Sequence, residues 1–144
     1  MSCTVDVNLL LYASDASSRF HEPARDLLDR LSRGPEIVYL FWPVIMGYLR
    51  IVTHPTVFDI PLTPNEAMAN VGGLLSLPHV QAPGEGERFW ARYREVAEEA
   101  AARGNLIPDA HVVALMEENG IRTIWTHDRD YRRFTGIEAR DPFE

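Results

Sequence analysis

Four aspartates, Asp6, Asp109, Asp128 and Asp130, stand where a carboxylate could do chemistry. Asp6 lies at the changeover from a short N-terminal strand carrying Cys3 and Val5 to the apolar helical run Leu9-Leu10-Leu11-Tyr12-Ala13. Asp109 follows Pro108 in the first turn of a predicted helix, a position that tolerates proline. Asp128 and Asp130 follow the strand-like run Thr123-Ile124-Trp125-Thr126. Each has an ordinary structural reading on its own. Asp6 can cap the first helix, Asp109 complements a helix dipole, and Asp128 and Asp130 suit a solvated turn. Asp6 equally suits a ligand role, because open α/β sheets hold ligands beyond the carboxyl ends of their strands. Together, acids about a hundred residues apart that arrive at strand ends of one sheet suggest a pocket for a hard cation such as Mg²⁺ or Mn²⁺. A cation would also relieve their mutual repulsion.

The elements that must gather these acids are punctuated by Pro and Gly. After the polar loop Ser14-Asp15-Ala16-Ser17-Ser18, a second helix opens at His21-Glu22-Pro23 and runs to about Leu31, stopped by Gly34-Pro35. Ile37-Val38-Tyr39-Leu40 reads as a buried strand, apolar on both faces as parallel sheets require. Trp42-Pro43 starts a third helix closed by His54-Pro55, residues 65–75 form a fourth weakened by Gly72-Gly73, and His79-Val80-Gln81 is a short strand. Residues 86–103 make the longest helix by pattern, with Phe89, Tyr93, Val96, Ala97 and Ala100 on one face. The helix carrying Pro108 ends at Asn119-Gly120, and residues 137–140 form a last short strand. This alternation predicts one α/β domain over residues 1–144, with connections long enough for parallel crossovers and strand ends meeting along one edge.

Bulk properties narrow the function. The net charge of −7 excludes a globally basic nucleic-acid or membrane surface but allows a locally basic groove. All 14 basic residues are arginine, the better planar fork for phosphate, although compositional bias explains this as simply. No apolar run approaches the roughly 20 residues that span a bilayer. The N-terminus lacks a basic region and its apolar stretch is broken by Asp6 and Asn8, so no signal peptide is evident and the cytoplasm is the expected location. Cys3, the single cysteine, rules out an intrachain disulfide and cysteine-rich zinc sites.

The histidines point away from metal chemistry. His111 is two residues beyond Asp109 on a helix, so the two side chains diverge by about 200°; it reads as a packing or hydrogen-bonding residue. His21 reads as helix-start chemistry. The absence of HExxH, P-loop and GxSxG patterns removes zincins, Walker-type nucleotidases and α/β-hydrolases.

Three stretches in order, Val5-Asp6-Val7-Asn8-Leu9-Leu10-Leu11-Tyr12-Ala13, Pro108-Asp109-Ala110-His111-Val112-Val113-Ala114-Leu115, and Trp125-Thr126-His127-Asp128-Arg129-Asp130-Tyr131-Arg132-Arg133-Phe134, resemble PIN-domain proteins. They are similar in particular to VapC-type toxins of type II toxin–antitoxin pairs. The segment Phe41-Trp42-Pro43-Val44-Ile45-Met46-Gly47-Tyr48-Leu49-Arg50-Ile51-Val52-Thr53-His54-Pro55 resembles the branch common in mycobacteria. The resemblance runs nearly end to end. It implies a three-layer PIN-like α/β fold with a central, mainly parallel sheet of about four to five strands. It also implies a Mg²⁺- or Mn²⁺-dependent endoribonuclease that cuts structured RNA such as tRNA or rRNA, is neutralised by a VapB-type antitoxin, and commonly forms a homodimer. By position Asp6, Asp109 and Asp128 match the family's metal-site acids, Asp130 is an adjacent candidate, and Asn8 and Thr126 match supporting polar residues. One departure stands out. Many members carry a glutamate on the helix after the second strand, where this chain has Gly47, so compensation from Glu22 or Glu66 becomes an open question.

On this reading Asp6, Asp109 and Asp128 hold one or two metal ions against a phosphate oxygen, and carboxylates act chiefly as ligands. Arg50, Arg129, Arg132 and Arg133 are the basic candidates for contacting RNA, with a solvated helix face as the plain alternative for Arg132-Arg133. Two rivals compete: a metal-incompetent PIN-like module acting through protein partners, and a phosphatase-like enzyme using Asp6 as nucleophile. The second would need another acid two residues on, where Asn8 stands.

Overall fold

A computed structural model describes all residues, 1–144. Its centre is a five-stranded sheet in the order β3-β2-β1-β4-β5, with every neighbouring pair parallel. The strands are β1 (Ser2–Val5), β2 (Ile37–Tyr39), β3 (Val80–Gln81), β4 (Thr123–Trp125) and β5 (Glu138–Arg140). Six helices flank them: α1 (Val7–Ser14), α2 (His21–Ser32), α3 (Trp42–Val52), α4 (Pro64–Leu75), α5 (Phe89–Ala100) and α6 (Leu106–Glu118). None is long and apolar enough to cross a membrane.

The strand order is the architectural fact that matters for the site. From β1 the chain steps outward through β2 to β3, then returns past β1 to lay β4 on its other side. The connection therefore reverses between β1 and β4, which opens a crevice at their carboxyl ends. Register ties the two strands closely: Val5 pairs with Trp125, and the Asp6 N–H extends the ladder to the Trp125 carbonyl at 3.0 Å. Beneath this edge α6 forms the central pillar. Ala110 and Val112 through Met116 are all buried, so the middle of the helix is apolar nearly all round, as expected where a helix is enclosed. The single cysteine is part of this core; burial pushes the Cys3 thiol up to about 12, which leaves it chemically inert.

Most expected elements form, with local shifts that have physical causes. The long helix α5 is shorter than its pattern: it begins at Phe89, because residues 83–86 stay in a loop whose Gly86 N–H donates to Glu118 Oε1 at 2.9 Å. It ends at Ala100, because Ala101 takes a left-handed conformation (φ 51°) and terminates the hydrogen-bond ladder. Helix α6 starts two residues before Pro108, still within the first turn, where a missing N–H costs nothing. Gly72-Gly73 does not interrupt α4, whose start is secured by a capping box between Thr63 and Glu66. Ile37 is 41% exposed, so β2 is not apolar-buried along its whole length: Ile37 opens the strand at the end away from the crevice.

Candidate metal centre

Four acids arrive at the β1–β4 crevice from three places in the chain. Asp6 occupies the residue between β1 and α1, Asp109 the first turn of α6, and Asp128 and Asp130 the start of a 3-10 turn over Arg129–Arg133. Carboxylate oxygens of Asp109, Asp128 and Asp130 lie within 4.8 Å of one another, the spacing of ligands around one cation. Asp6 borders this triad without joining it at that distance, yet the charges of Asp6, Asp109 and Asp128 act on one another.

Asp6 stands at the N-cap position of α1. It has the extended backbone of an N-cap residue, but its side chain makes no capping hydrogen bond. Instead Oδ2 accepts a hydrogen bond from the Thr126 hydroxyl at 2.9 Å, across 120 residues of sequence. The same Thr126 oxygen accepts from the Asp128 backbone N–H at 2.9 Å. One buried hydroxyl thus holds both the Asp6 carboxylate and the backbone that presents Asp128. Asp128 in turn accepts from the Asp130 N–H at 2.9 Å through Oδ1, which fixes its rotamer and orders the turn.

The electrostatics are those of acids held together without a counter-charge. None of the four forms an ion pair with arginine or histidine. Burial, with Asp6 only 4% exposed, raises its carboxyl from 3.8 to about 6; the Thr126 hydrogen bond and the nearby Val7 and Asn8 amides oppose that, and Asp128 adds to it. Asp109 rises further, to about 7, through burial and then the charges of Asp6 and Asp128, against a hydrogen bond from the Tyr131 hydroxyl. Tyr131 is itself buried and its phenol is pushed strongly upward, first by burial and then by Asp6 and Asp109. Clustered oxygen donors whose charge lacks a partner fit Mg²⁺ or Mn²⁺, hard cations that prefer carboxylate and water.

The other expected residues fall into place unevenly. Asn8 lies in the first turn of α1, and its amide N–H rather than its side chain bears on Asp6. Gly47 sits against the Cγ2 of Val7, next to Asp6, with ordinary contact distance (3.5 Å) for an added Cβ. Glu66 is committed to the α4 capping box, and Glu22 is exposed in the first turn of α2; the acid that completes the cluster is Asp130. Arg129 and Arg132 line a shallow hollow beside Asp128, and Arg132 is 4.0 Å from Glu144. Arg133 donates to the Ala100 carbonyl at 3.2 Å, an anchor on the end of α5. Arg50 is exposed near the end of α3. His111 bonds Glu85 at 2.8 Å and packs on Phe89, and His21 bonds the Tyr12 carbonyl at 2.9 Å, both structural roles. Tyr131 carried no expected role; its place three residues after Asp128, an aromatic amid charged neighbours, was the available signal.

A largely apolar cavity of about 230 Å³ lies elsewhere, among Leu10, Leu28, Ile45, Tyr48 and Leu74 of α1 to α4. Enzymes for small molecules usually place chemistry in such a cavity; here the acids stand on an open edge, which suits a polymer.

Comparison with known proteins agrees with this geometry. The PIN domain family matches residues 3–137. The chain is 53% identical over 143 residues to Ribonuclease VapC48 of Mycobacterium tuberculosis, covering 99% of both. It is 39% identical over 140 residues to VapC ribonuclease Mb2897 of Mycobacterium bovis, covering 97% of this chain and 95% of that one. Among solved structures, VapC20 of M. tuberculosis, described as a sarcin-ricin loop cleaving toxin, superposes with a TM-score of 0.68 at 18% identity over 94% of this chain and 98% of its own. VapBC2 of Rickettsia felis, bound to a DNA fragment from its promoter, gives 0.72 at 13% identity over 98% of each. The chain belongs to the PIN domain family, within its VapC group.

Proposed function

We propose that this protein is a Mg²⁺- or Mn²⁺-dependent endoribonuclease toxin that hydrolyses phosphodiester bonds in structured RNA, tRNA or rRNA, and is neutralised by a VapB-type antitoxin. The observation that carries the reading is the Asp109–Asp128–Asp130 triad within 4.8 Å, with Asp6 beside it. Its relatives bear ribonuclease names, and its structural neighbours include VapBC complexes. The metal-incompetent alternative leaned on the missing glutamate at Gly47, and Asp130 supplies a third close carboxylate without it.

Asp109, Asp128 and Asp130 would hold the cation together with Asp6. When bound, Mg²⁺ or Mn²⁺ supplies Lewis acidity to the phosphate and makes water a usable nucleophile at neutral pH. The chain's own part is positioning. Thr126 holds Asp6 through Oδ2, and the Asp130 N–H holds Asp128 through Oδ1. The Tyr131 hydroxyl, beside Asp109, favours its carboxylate form. Arg129 and Arg132, beside Asp128, would take neighbouring phosphates, and Arg50 offers a further exposed cation; binding should weaken steeply with salt. Exposed Trp42 and Met46 on α3 and Met68 on α4 favour burial against a second copy in a homodimer.

The test is RNA cleavage by the purified protein across a Mg²⁺ and Mn²⁺ titration, with 5′ ends mapped. Cleavage should vanish with EDTA and in Asp6→Asn. An Asp6→Asn protein that cuts as fast as wild type would refute the site.

A further inference from the structure

Hydrolysis by a metal-activated water leaves the ribose 2′-hydroxyl out of the chemistry. The acids alone therefore do not tell an RNA phosphodiester from a DNA one, and a preference for RNA needs a side chain that reads the sugar. Tyr12 stands where such a group is required. It lies on α1, six residues beyond Asp6. Tyrosine side chains on a helix lean back toward its N-terminus, which for α1 is the Asp6 end. The ring is held by Phe20 and Phe143, with centroids 5.2 Å and 5.8 Å away. Those two rings also pack on His127, between Thr126 and Asp128, at 4.7 Å and 5.2 Å. Tyr12 is thus fixed beside the turn that carries Asp128.

This packing accounts for the ring and not for its hydroxyl. A phenylalanine would make the same aromatic contacts. The Tyr12 hydroxyl bonds to no protein group and is not enclosed, since Trp125 Nε1 is the one buried side-chain polar atom without a partner. The Tyr48 hydroxyl, by contrast, is engaged by Ser14 at 2.8 Å and Asn70 at 3.0 Å. Burial, and after it the charges of Asp6, Asp128 and Asp141, push the Tyr12 phenol upward against Arg19, so the oxygen lies within reach of the crevice charges and keeps its proton. Carboxylates on that side make a poor setting for a second phosphate, which belongs with the cation or with Arg129 and Arg132. A neutral hydroxyl meets no such repulsion.

We propose that Tyr12 is a specificity-determining residue whose hydroxyl donates a hydrogen bond to a ribose 2′-oxygen next to the phosphate held at the acids, and so selects RNA over DNA. The inference rests on the ribonuclease reading for its substrate, but binding can be measured without cleavage.

Fluorescence anisotropy isolates the contact, using labelled eight-nucleotide oligouridylates with a 2′-hydroxyl, a 2′-hydrogen or a 2′-fluorine, at low salt with Ca²⁺. Fluorine keeps the ribose pucker but accepts hydrogen bonds poorly. Wild type should bind the hydroxyl form about threefold to tenfold more tightly than the other two, the worth of one hydrogen bond. Tyr12→Phe keeps the ring against Phe20 and Phe143. It should bring the hydroxyl form down to the affinity of the fluorine form, with the melting temperature and its Mn²⁺ response unchanged. A Tyr12→Phe protein that keeps the wild-type preference would overturn the inference. Equal wild-type binding to the hydroxyl and fluorine forms, or none to any, overturns it as well, and that arm alters only the ligand, so it stands even for a destabilised variant. Cleavage in Mn²⁺, followed in parallel, separates the two claims: a Tyr12-dependent ribose preference without cleavage rejects the nuclease reading alone, and cleavage without that preference rejects the sugar contact alone.

Discussion

Acidic side chains meet two different fates in this molecule. At the far end of the α5–α6 pair they have cationic or polar partners: Glu85 bonds His111 at 2.8 Å, and Arg92 lies 3.4 Å from Glu95 and 4.0 Å from Glu117. Glu85 is accordingly held below the ordinary glutamate value, chiefly by the His111 hydrogen bond. At the β1–β4 crevice four aspartates gather with no ion pair to the protein's own side chains, and Asp6 and Asp109 rise to about 6 and about 7. The first arrangement is ordinary surface pairing, worth little to stability. The second opposes folding at neutral pH, a pattern common at functional sites, where a ligand supplies the missing charge.

The largest effect expected from this contrast is on the coupling of pH, metal and melting. In the unfolded chain Asp6 and Asp109 return to about 3.8, so across roughly pH 4 to 7 the metal-free fold binds more protons than the unfolded chain. Its stability must then fall as pH rises through that window, opposite to the usual salt-bridged aspartate. Mn²⁺ at a hundredfold excess over Kd should raise the melting temperature at pH 8 by about 5–10 °C, and by less at pH 5, where protons compete for the ligands. Asp109→Asn should abolish cleavage, melt higher than wild type in EDTA at pH 8, and lose most of the metal response. A metal-free protein whose melting temperature climbs from pH 5 to pH 8 would break the comparison.

A middle-sized effect belongs to Thr126. Thr126→Val keeps the shape but removes the hydroxyl that serves both Asp6 and the Asp128 N–H. It should cost about 1–3 kcal/mol of stability and about 10–100-fold in activity or metal affinity, as outer-shell changes do. Thr126→Ser should restore most of both, measured by denaturant melts and cleavage rates. The smallest effect is at the other region: Glu85→Gln should change stability by at most about 1 kcal/mol and leave cleavage and metal response untouched.

Much of this was written locally. The alternation of strands and helices, the proline inside the first turn of α6, and the placing of acids at strand ends follow from short-range sterics, capping chemistry and apolar period, all readable along the chain. The family was legible in another way, as a resemblance to known PIN-domain proteins carried by ordered stretches from Val5 to Phe134. Where local reading failed, the competing influence was itself tertiary or conformational. The ends of α5 were set by a left-handed Ala101 and by a loop tied to Glu118, neither of which has a compositional signal.

The sequence by itself determined which residues could bind a cation and which elements would carry them. Only the tertiary structure decided which of them stand together. The order β3-β2-β1-β4-β5 sets β4 beside β1, and that neighbour choice, made by packing between segments 120 residues apart, lets Thr126 hold the Asp6 carboxylate. It also set Asp130 within 4.8 Å of Asp109 and Asp128, and brought Asp141 to His127. Side-chain hydrogen bonds across a sheet edge depend on register and on strand adjacency. A chain's local propensities specify neither, because both are outcomes of burying the whole core at once.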